Sequence, residues 1–191
     1  MEEIIKNINK LWFHKGHLNE DQRDFLINIL KEIKPKFCIE TGFASGRSAI
    51  TTLNAAEPEL LISIDINLDY ISGARLHSEK IKENFNNFKL IEGSSSKILT
   101  DDFFSDNFPH GIEFAFIDGD HSYAGAYSDI ERVYAKINNG GIMIVDDYMS
   151  GPPNGARILS VNNAVNDFAE KNNIKIERWE SKGKGFAIFR K

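Results

Sequence analysis

The chain of 191 residues carries a formal net charge of −5, with 41% hydrophobic and 27% charged residues. These values are ordinary for a globular protein, so we expect a single domain over residues 1–191, and the negative charge argues against a nucleic-acid partner. No apolar run reaches the roughly 20 residues of a membrane span and the first residues lack a signal-peptide core, which predicts a cytoplasmic protein with no membrane partner.

Strand and helix patterns alternate along the chain. A short helix within residues 1–18 is the first predicted element. Further helices are predicted at 20–33, 47–56, about 67–84, within 94–104, 123–137 and 161–171. Strands are predicted at 37–40, 60–66, 88–93, 113–117, 142–147, 174–180 and 185–191. Because parallel strands need a covering crossover helix, this alternation predicts an α/β fold with helices on both faces of a sheet and a terminal hairpin.

The turn after the first predicted strand is rich in glycine. It reads ETGFASG over residues 40–46, and its glycines, Gly42 and Gly46, are separated by three residues. This spacing is not the G-x-G-x-x-G of dinucleotide sites, which disfavours a nicotinamide dehydrogenase. We interpret the glycines as removing side chains that would block a bulky ligand from the backbone. Asp65 ends the second strand, where an acidic residue can accept hydrogen bonds from ribose hydroxyls.

These motifs resemble those of class I S-adenosylmethionine (SAM)-dependent methyltransferases. The turn at 40–46 resembles their first motif, Asp65 their ribose-binding acid, and IEGSS at 91–95 the turn that lies against adenine. The resemblance implies a Rossmann-like doubly wound sheet of seven strands in the order 3-2-1-4-5-7-6, with strand 7 antiparallel. It also implies SAM as the cofactor, its methionine carboxylate held by Ser48 and the helix N-terminus. The implied cofactor-binding residues are Glu40, Gly42, Gly46, Ser48, Asp65, Gly93, Ser94 and Asp118.

Carboxylates follow the fourth and fifth predicted strands. Asp118 comes after the apolar run 114–117, and the pair Asp146 and Asp147 ends the fifth strand. Since adjacent parallel strands deliver their carboxyl ends to one edge of a sheet, we expect the three side chains to lie close together and to need a cation. Oxygen ligands favour Mg²⁺, with Mn²⁺ or Ca²⁺ as alternatives. The competing interpretation is that the pair caps the following loop and Asp118 bonds the cofactor.

The same residues resemble those of a metal-dependent branch of that family. Caffeoyl-CoA and catechol O-methyltransferases, and bacterial sugar O-methyltransferases, carry an Asp after the fourth strand and an Asp-Asp or Asp-Asn pair after the fifth. This implies metal-assisted methyl transfer to a hydroxyl of a small molecule, with a nearby base to take the proton. His121 and Asp120 are the candidate bases, and His121 is preferred because its free pKa lies near neutral pH. Phenols, catechols and sugars all stay open as substrates.

Two other functions remain compatible with the sequence. An iron-dependent hydroxylase of the cephalosporin-hydroxylase type shares the fold and the IDGDH segment at 117–121, although three carboxylates without a histidine make an unusual iron site. A non-catalytic SAM-binding module is the other. Tyr123 and Tyr148 flank the predicted metal edge, where each is equally a substrate contact or a packing residue. Related enzymes are often dimers and place a lid near the N-terminus, so the resemblance allows a homodimer and a lid within residues 1–18.

Overall fold

The computed structural model describes residues 18–70, 73–149 and 156–191. The predicted N-terminal helix and lid therefore lie outside the described residues, apart from Leu18. No helix within these three ranges is long and apolar enough to cross a membrane.

The described elements alternate as the sequence predicts. The helices are α1 (Glu20–Ile33), α2 (Arg47–Ala56), α3 (Ala74–Asn84), α4 (Ser95–Ile98), α5 (Asp101–Asn107), α6 (Tyr123–Lys136) and α7 (Ala156–Asn172). The strands are β1 (Phe37–Thr41), β2 (Leu60–Asp65), β3 (Phe88–Glu92), β4 (Ile112–Ile117), β5 (Ile137–Val145), β6 (Glu177–Ser181) and β7 (Lys184–Arg190).

All seven described strands form one sheet in the order β3-β2-β1-β4-β5-β7-β6. The pairs from β3 through β5 are parallel, and β7 runs antiparallel to both of its neighbours, β5 and β6. The predicted α/β fold, its strand order and its antiparallel strand 7 are thereby confirmed.

A hydrophobic core lies on each face of the sheet, and β4 contributes to both. Ala115 and Ile117 pack with residues of α6 and α7, whereas Phe114 and Phe116 pack with residues of α1, α2 and α3. Covering helices on both faces explain why this strand is a continuous apolar run and not an alternating one. The strand thus holds its polar continuation at a fixed edge of a rigid sheet.

Two element starts differ from the sequence prediction. Helix α3 begins at Ala74 because residues 67–69 form a separate turn, in which the Asp69 N–H donates to Asn67 Oδ1 at 2.9 Å. Strand β5 begins at Ile137, directly after α6, because Ile137 already pairs with Ile112 before the register shifts. The glycines at 140–141 therefore lie within the strand and do not end the helix.

Helix α7 and strand β6 also differ from the prediction at their starts. Helix α7 begins at Ala156, earlier than the predicted residue 161, and the segment 156–160 contains no glycine or proline to interrupt it. Strand β6 begins at Glu177, later than the predicted residue 174. The Ile174 N–H donates to the Ala169 carbonyl of α7 at 2.9 Å, which assigns this part of the chain to the end of the helix.

Candidate active site

The residues that follow β1, β4 and β5 lie side by side at one edge of the sheet. Thr41 pairs with Ile117, and Ile117 pairs with Val145. Beyond this register the Asp118 N–H donates to the Thr41 carbonyl at 2.8 Å, and the Asp146 N–H donates to the Ile117 carbonyl at 3.0 Å. In open α/β sheets, this carboxyl edge is where ligands bind.

Asp118, His121 and Asp147 form a cluster at this edge, which we call the acid–histidine cluster. His121 Nε2 lies 3.0 Å from Asp118 Oδ1 and 3.3 Å from Asp147 Oδ2. One potential ligand atom from each residue lies within 4.8 Å of the other two. Asp147 has a φ of +58°, a left-handed conformation that aspartate tolerates better than most residues. Two carboxylates and an imidazole are a donor set that can hold a divalent cation.

Asp146 lies next to the cluster but makes different contacts. Its Oδ1 accepts hydrogen bonds from Gln22 Nε2 at 2.8 Å and from the Asp147 N–H at 2.7 Å. Burial, reinforced by the charges of Asp118 and Asp147, raises the pKa of Asp146 well above its usual range. The structure therefore groups Asp118 and Asp147 with His121, and the role of Asp146 as a metal ligand stays a prediction.

A lysine from the C-terminal hairpin contacts the acid–histidine cluster. Lys184 is the first residue of β7, and its Nζ lies 3.1 Å from Asp147 Oδ1. Burial lowers the pKa of Lys184, but the charges of Asp147, Asp146 and Asp118 outweigh it, so the pKa is raised overall. The carboxylates of the cluster, which follow parallel strands, are thus next to a positive charge on the antiparallel strand β7.

No sequence pattern points to Gln22 or Lys184 as part of this edge. Gln22 follows Asn19, the N-cap of α1, by three residues, and the two form a reciprocal capping box at the start of this helix. That pattern explains how the helix begins, but not that the Gln22 amide reaches Asp146. The sequence around Lys184 indicates only a polar residue after a hairpin turn.

The two candidate bases lie in different surroundings. The His121 side chain is 20% exposed and belongs to the cluster. Asp120 is exposed and folds back on the start of α6, where its Oδ1 accepts the Ser122 N–H at 2.8 Å. Its carboxyl group lies so close to Gly125 that a Cβ at that glycine would collide with it. The structure brings His121 to Asp118, whereas the contacts of Asp120 are with the helix start.

The glycines of the 40–46 turn are required by the packing of the chain itself. Gly42 has a φ of +87°, and a Cβ on it would collide with the Asp118 carbonyl oxygen. Gly46 has a φ of +82°, and a Cβ on it would lie 2.6 Å from the Phe43 ring. Space for a ligand is therefore not the immediate reason for either glycine. The contact between Gly42 and Asp118 instead joins the glycine turn to the acid–histidine cluster.

Asp65 holds the glycine turn through its backbone. Its Oδ2 accepts the N–H groups of Phe43 and Ala44 at 2.9 and 2.8 Å, and its Oδ1 accepts the Asn67 N–H at 3.0 Å. Oδ2 has used both of its lone pairs, whereas Oδ1 keeps one that can accept a further hydroxyl donor. Asp65 is thus positioned by the chain before any ligand arrives.

Glu40 is a buried carboxyl group with one unpaired oxygen. Its Oε1 accepts a hydrogen bond from Ser63 Oγ at 2.6 Å, whereas Oε2 has no partner among the described residues. Burial raises the pKa of Glu40 to about 8; the Ser63 and Ser48 hydroxyls oppose this rise, and the charges of Asp118 and Asp65 add to it. A buried acceptor without a donor is unfavourable, which suits a site that a ligand completes.

The turn after β3 lies beside the end of β2. The Gly93 N–H donates to the Asp65 carbonyl at 2.7 Å, and Ser94 Oγ lies 2.8 Å from Ser96 Oγ. Ile66, next to Asp65, is 72% exposed. The predicted adenine turn therefore adjoins an uncovered apolar surface.

The two tyrosines near the edge have separate environments. Tyr148 is buried in the core, and its hydroxyl donates to Asn166 Oδ1 at 2.8 Å. Tyr123 is 42% exposed and donates to Asp167 Oδ2 at 2.8 Å. Packing accounts for Tyr148, while Tyr123 stays accessible at the start of α6.

Residues 39–148 match a family model described as a methyltransferase domain. This span covers more than half of the chain, from β1 to the residue after Asp147. The chain belongs to the methyltransferase family. The identification of a methyltransferase from the motifs at 40–46, 65 and 91–95 is thereby confirmed, and these motifs all lie within the matched span of this methyltransferase.

Solved structures share the fold of the methyltransferase over nearly its whole length. The O-methyltransferase from Bacillus cereus in complex with SAH is 15% identical, with a TM-score of 0.75 over 100% of this chain and 90% of that one. The O-methyltransferase TomG from Streptomyces achromogenes, involved in tomaymycin synthesis and solved with SAM, is 14% identical, with a TM-score of 0.74 over 98% and 86% of the chains. At this identity the likeness concerns the fold.

A curated relative matches a short part of the chain. The uncharacterized protein R132 of Acanthamoeba polyphaga mimivirus is 44% identical over 43 residues. The match spans 22% of this chain and 20% of the length of that relative.

Proposed function

We propose that this methyltransferase transfers the methyl group of SAM to a hydroxyl oxygen of a small molecule, with the help of a divalent cation. The observation that carries the proposal is the contact of Gly42, in the first cofactor motif, with the backbone of Asp118, in the acid–histidine cluster. A methyl donor bound at the glycine turn and a hydroxyl bound at the cluster would then be neighbours, as the transfer requires.

Glu40 and the start of α2 fit the methionine end of SAM. The unpaired, buried Glu40 Oε2 lacks the donor that an α-ammonium group would supply. The first turn of α2 has neither a side-chain cap nor an acidic residue, so its N–H groups, with the Ser48 hydroxyl, suit an α-carboxylate.

The nucleoside end of SAM fits the residues at the ends of β2 and β3, which are Asp65, Ile66, Gly93 and Ser94. Asp65 retains acceptor capacity for ribose hydroxyls, and the turn at Gly93 and Ser94 lies beside it. The exposed Ile66 would lose contact with water under an adenine ring, which favours binding through apolar burial. The SAH and SAM named for the two structural neighbours are consistent with this assignment.

The acid–histidine cluster fits a divalent cation by the chemistry of its donors. Asp118 and Asp147 offer carboxylate oxygens that suit Mg²⁺ or Mn²⁺, and the His121 nitrogen makes a transition-metal ion more suitable than Mg²⁺. When bound, such a cation would lower the pKa of a substrate hydroxyl and fix its orientation. Asp146 is a further candidate ligand through the oxygen that does not bond Gln22.

His121 is our proposed base for the hydroxyl proton, with Asp120 as the second candidate. The Nε2 atom of His121 faces the carboxylates of Asp118 and Asp147, to which it donates. A cation that took over these carboxylates would free Nε2 to accept the proton of a hydroxyl bound at the cluster. The same atom is also a potential metal ligand, and the two roles have different consequences for metal affinity. Asp120 would have to leave its contacts at the start of α6 to act.

An iron-dependent hydroxylase is a second candidate function because the structure adds His121 to the carboxylates. The sequence analysis counted three carboxylates, Asp118, Asp146 and Asp147, which would be an unusual iron site without a histidine. The acid–histidine cluster contains His121, so this objection does not apply to it. A non-catalytic SAM-binding module is the third. The homodimer, the cytoplasmic location and the lack of nucleic-acid partners stay predictions.

An assay with methyl-labelled SAM tests the proposed function. The full chain is incubated with a panel of phenols, catechols and sugars in Mg²⁺, Mn²⁺ or EDTA, and label on oxygen is measured. We expect transfer to at least one hydroxyl class, and only with metal. Transfer that EDTA leaves unchanged would contradict the metal assignment. Binding of SAM without transfer to any acceptor would favour the binding module, and Fe²⁺-dependent oxygenation of the panel would favour the hydroxylase.

A further inference from the structure

Lys184 brings a positive charge into the proposed cation site from outside the acidic segments. Its Nζ is 3.1 Å from Asp147 Oδ1, while the other oxygen of Asp147 lies 3.3 Å from His121 Nε2. The Asp147 side chain is only 7% exposed, and that of Lys184 is 29% exposed. The ion pair is therefore partly shielded from water. Charges interact more strongly in such a site than at an open surface.

Asp147 is thus shared between a lysine of β7 and the acid–histidine cluster. A divalent cation bound to Asp147 would lie within a few ångströms of the ammonium group, because both would be held by the same carboxylate. Two cations so close repel each other, and in a partly buried site this repulsion is screened little by salt.

We propose that Lys184 is an internal counter-ion of the cation site, which balances Asp147 without metal and competes with a divalent cation for this carboxylate. Lys184 thereby sets the metal affinity of the methyltransferase. This inference rests on the metal part of the proposed function and is independent of methyl transfer.

Lys182, on the same hairpin, provides a contrast. It pairs with Asp21 of α1, its side chain is 75% exposed, and Asp21 is not part of the cluster. The two lysines carry the same charge and are separated by one residue, but only Lys184 contacts a residue of the cation site. Replacing each in turn separates the local effect from a general change in charge.

The experiment measures Mn²⁺ affinity of the full chain without SAM, by electron paramagnetic resonance of free Mn²⁺ and by calorimetry. The variants are Lys184→Met, which keeps an aliphatic stem, Lys184→Arg, which keeps the charge, and Lys182→Met as the control. We expect Lys184→Met to bind Mn²⁺ about tenfold more tightly than the wild type, or better, since removing one nearby charge relieves the repulsion of a divalent ion. Lys184→Arg and Lys182→Met should stay within about twofold of the wild type, because the first keeps the charge and the second acts on an exposed pair.

Each outcome of the titration has a defined meaning. If Lys184→Met binds Mn²⁺ and the wild type does not, the result supports the proposal that Lys184 competes with the cation for Asp147. Equal or weaker binding by Lys184→Met, with its thermal unfolding and circular dichroism unchanged, overturns the role of Lys184 and leaves the metal site standing. Failure of both proteins to bind Mn²⁺ overturns the metal site and this inference together, whereas methyl transfer is judged separately by the labelled-SAM assay. If Lys184→Met does not fold, Lys184→Gln takes its place with the same criteria.

Discussion

Three buried carboxyl groups lie at or near the candidate site, and burial raises the pKa of each: Glu40, Asp129 and Asp146. Asp129 lies near Gly119, and the Ser95 and Thr41 hydroxyls partly oppose the effect of burial on its pKa. A carboxyl group with a higher pKa in the folded state binds more protons there than in the unfolded chain. Stability therefore falls as the pH rises from the unfolded pKa to the folded pKa. Such groups oppose folding at neutral pH, which is compatible with a role in ligand binding.

Glu40 allows this pH effect to be measured. Its pKa rises from 4.5 to about 8 on folding, so its ionisation should cost the folded state about 4 kcal/mol by pH 8. We expect the wild type to lose stability relative to Glu40→Gln between pH 4.5 and pH 8, and not below pH 4.5. Urea unfolding at several pH values measures this difference, with the exposed Glu83→Gln as the control. If the difference in unfolding free energy between wild type and Glu40→Gln does not change with pH, the raised pKa of Glu40 is contradicted.

His121 and Asp120 can be separated by two measurements on the same variants. We expect His121→Ala to lower methyl transfer at least about 100-fold, the usual effect of losing a general base, with SAM affinity unchanged. Asp120→Ala should have a much smaller effect, because its carboxylate contacts the start of α6. Mn²⁺ titration completes the test. A loss of metal affinity in His121→Ala would make His121 a ligand, and a larger loss of turnover in Asp120→Ala would reverse the assignment of the base.

At the scale of elements, the β1–α2 turn and the end of β4 act as one unit. The turn is held by Asp65 from β2, and Gly42 packs on the Asp118 carbonyl. The glycine turn and the acid–histidine cluster are therefore in contact through backbone atoms, which are less adaptable than side chains. A change in the turn should consequently disturb the cluster, although no cluster residue is altered.

Gly42→Ala tests this connection, with Gly183→Ala as the matched control. Both glycines have positive φ, +87° and +74°, but a Cβ at Gly183 would meet nothing within 4 Å. We expect Gly183→Ala to cost about 1 kcal/mol of unfolding free energy from backbone strain alone. Gly42→Ala should cost at least about 3 kcal/mol, because the collision with Asp118 adds to the strain, and it should also weaken Mn²⁺ binding. Equal costs for the two variants in urea unfolding would show that the contact is unimportant.

The sequence predicts elements well where local signals define their ends. The bounds of α1 and α2 agree with the prediction, since a capping box begins α1 and a glycine precedes α2. The predicted start of α3 is wrong because Asn67 and Asp69 resemble helix caps but form their own turn. Capping residues and isolated turns use the same side-chain chemistry, so a local pattern alone does not separate them.

At the scale of the whole molecule, sequence patterns predict which edge of the sheet carries the site, but not all of its contacts. Asp118 and Asp147 follow strands, and parallel topology brings such residues together. Gln22 reaches Asp146 from 124 positions away, and Lys184 reaches Asp147 from 37 positions away. Which side chain spans such a gap depends on how α1 and the hairpin pack on the sheet. Periodicity along one element carries no information about that packing.

The proposed function requires that the carboxyl edge of this sheet binds SAM and not a dinucleotide. Calorimetric titration of the full chain with SAM, and separately with NAD, tests it most directly, because it requires no knowledge of the methyl acceptor. We predict saturable binding of SAM at one site per chain, lost in Asp65→Ala, and no binding of NAD. Saturable binding of NAD together with no heat from SAM would contradict the account.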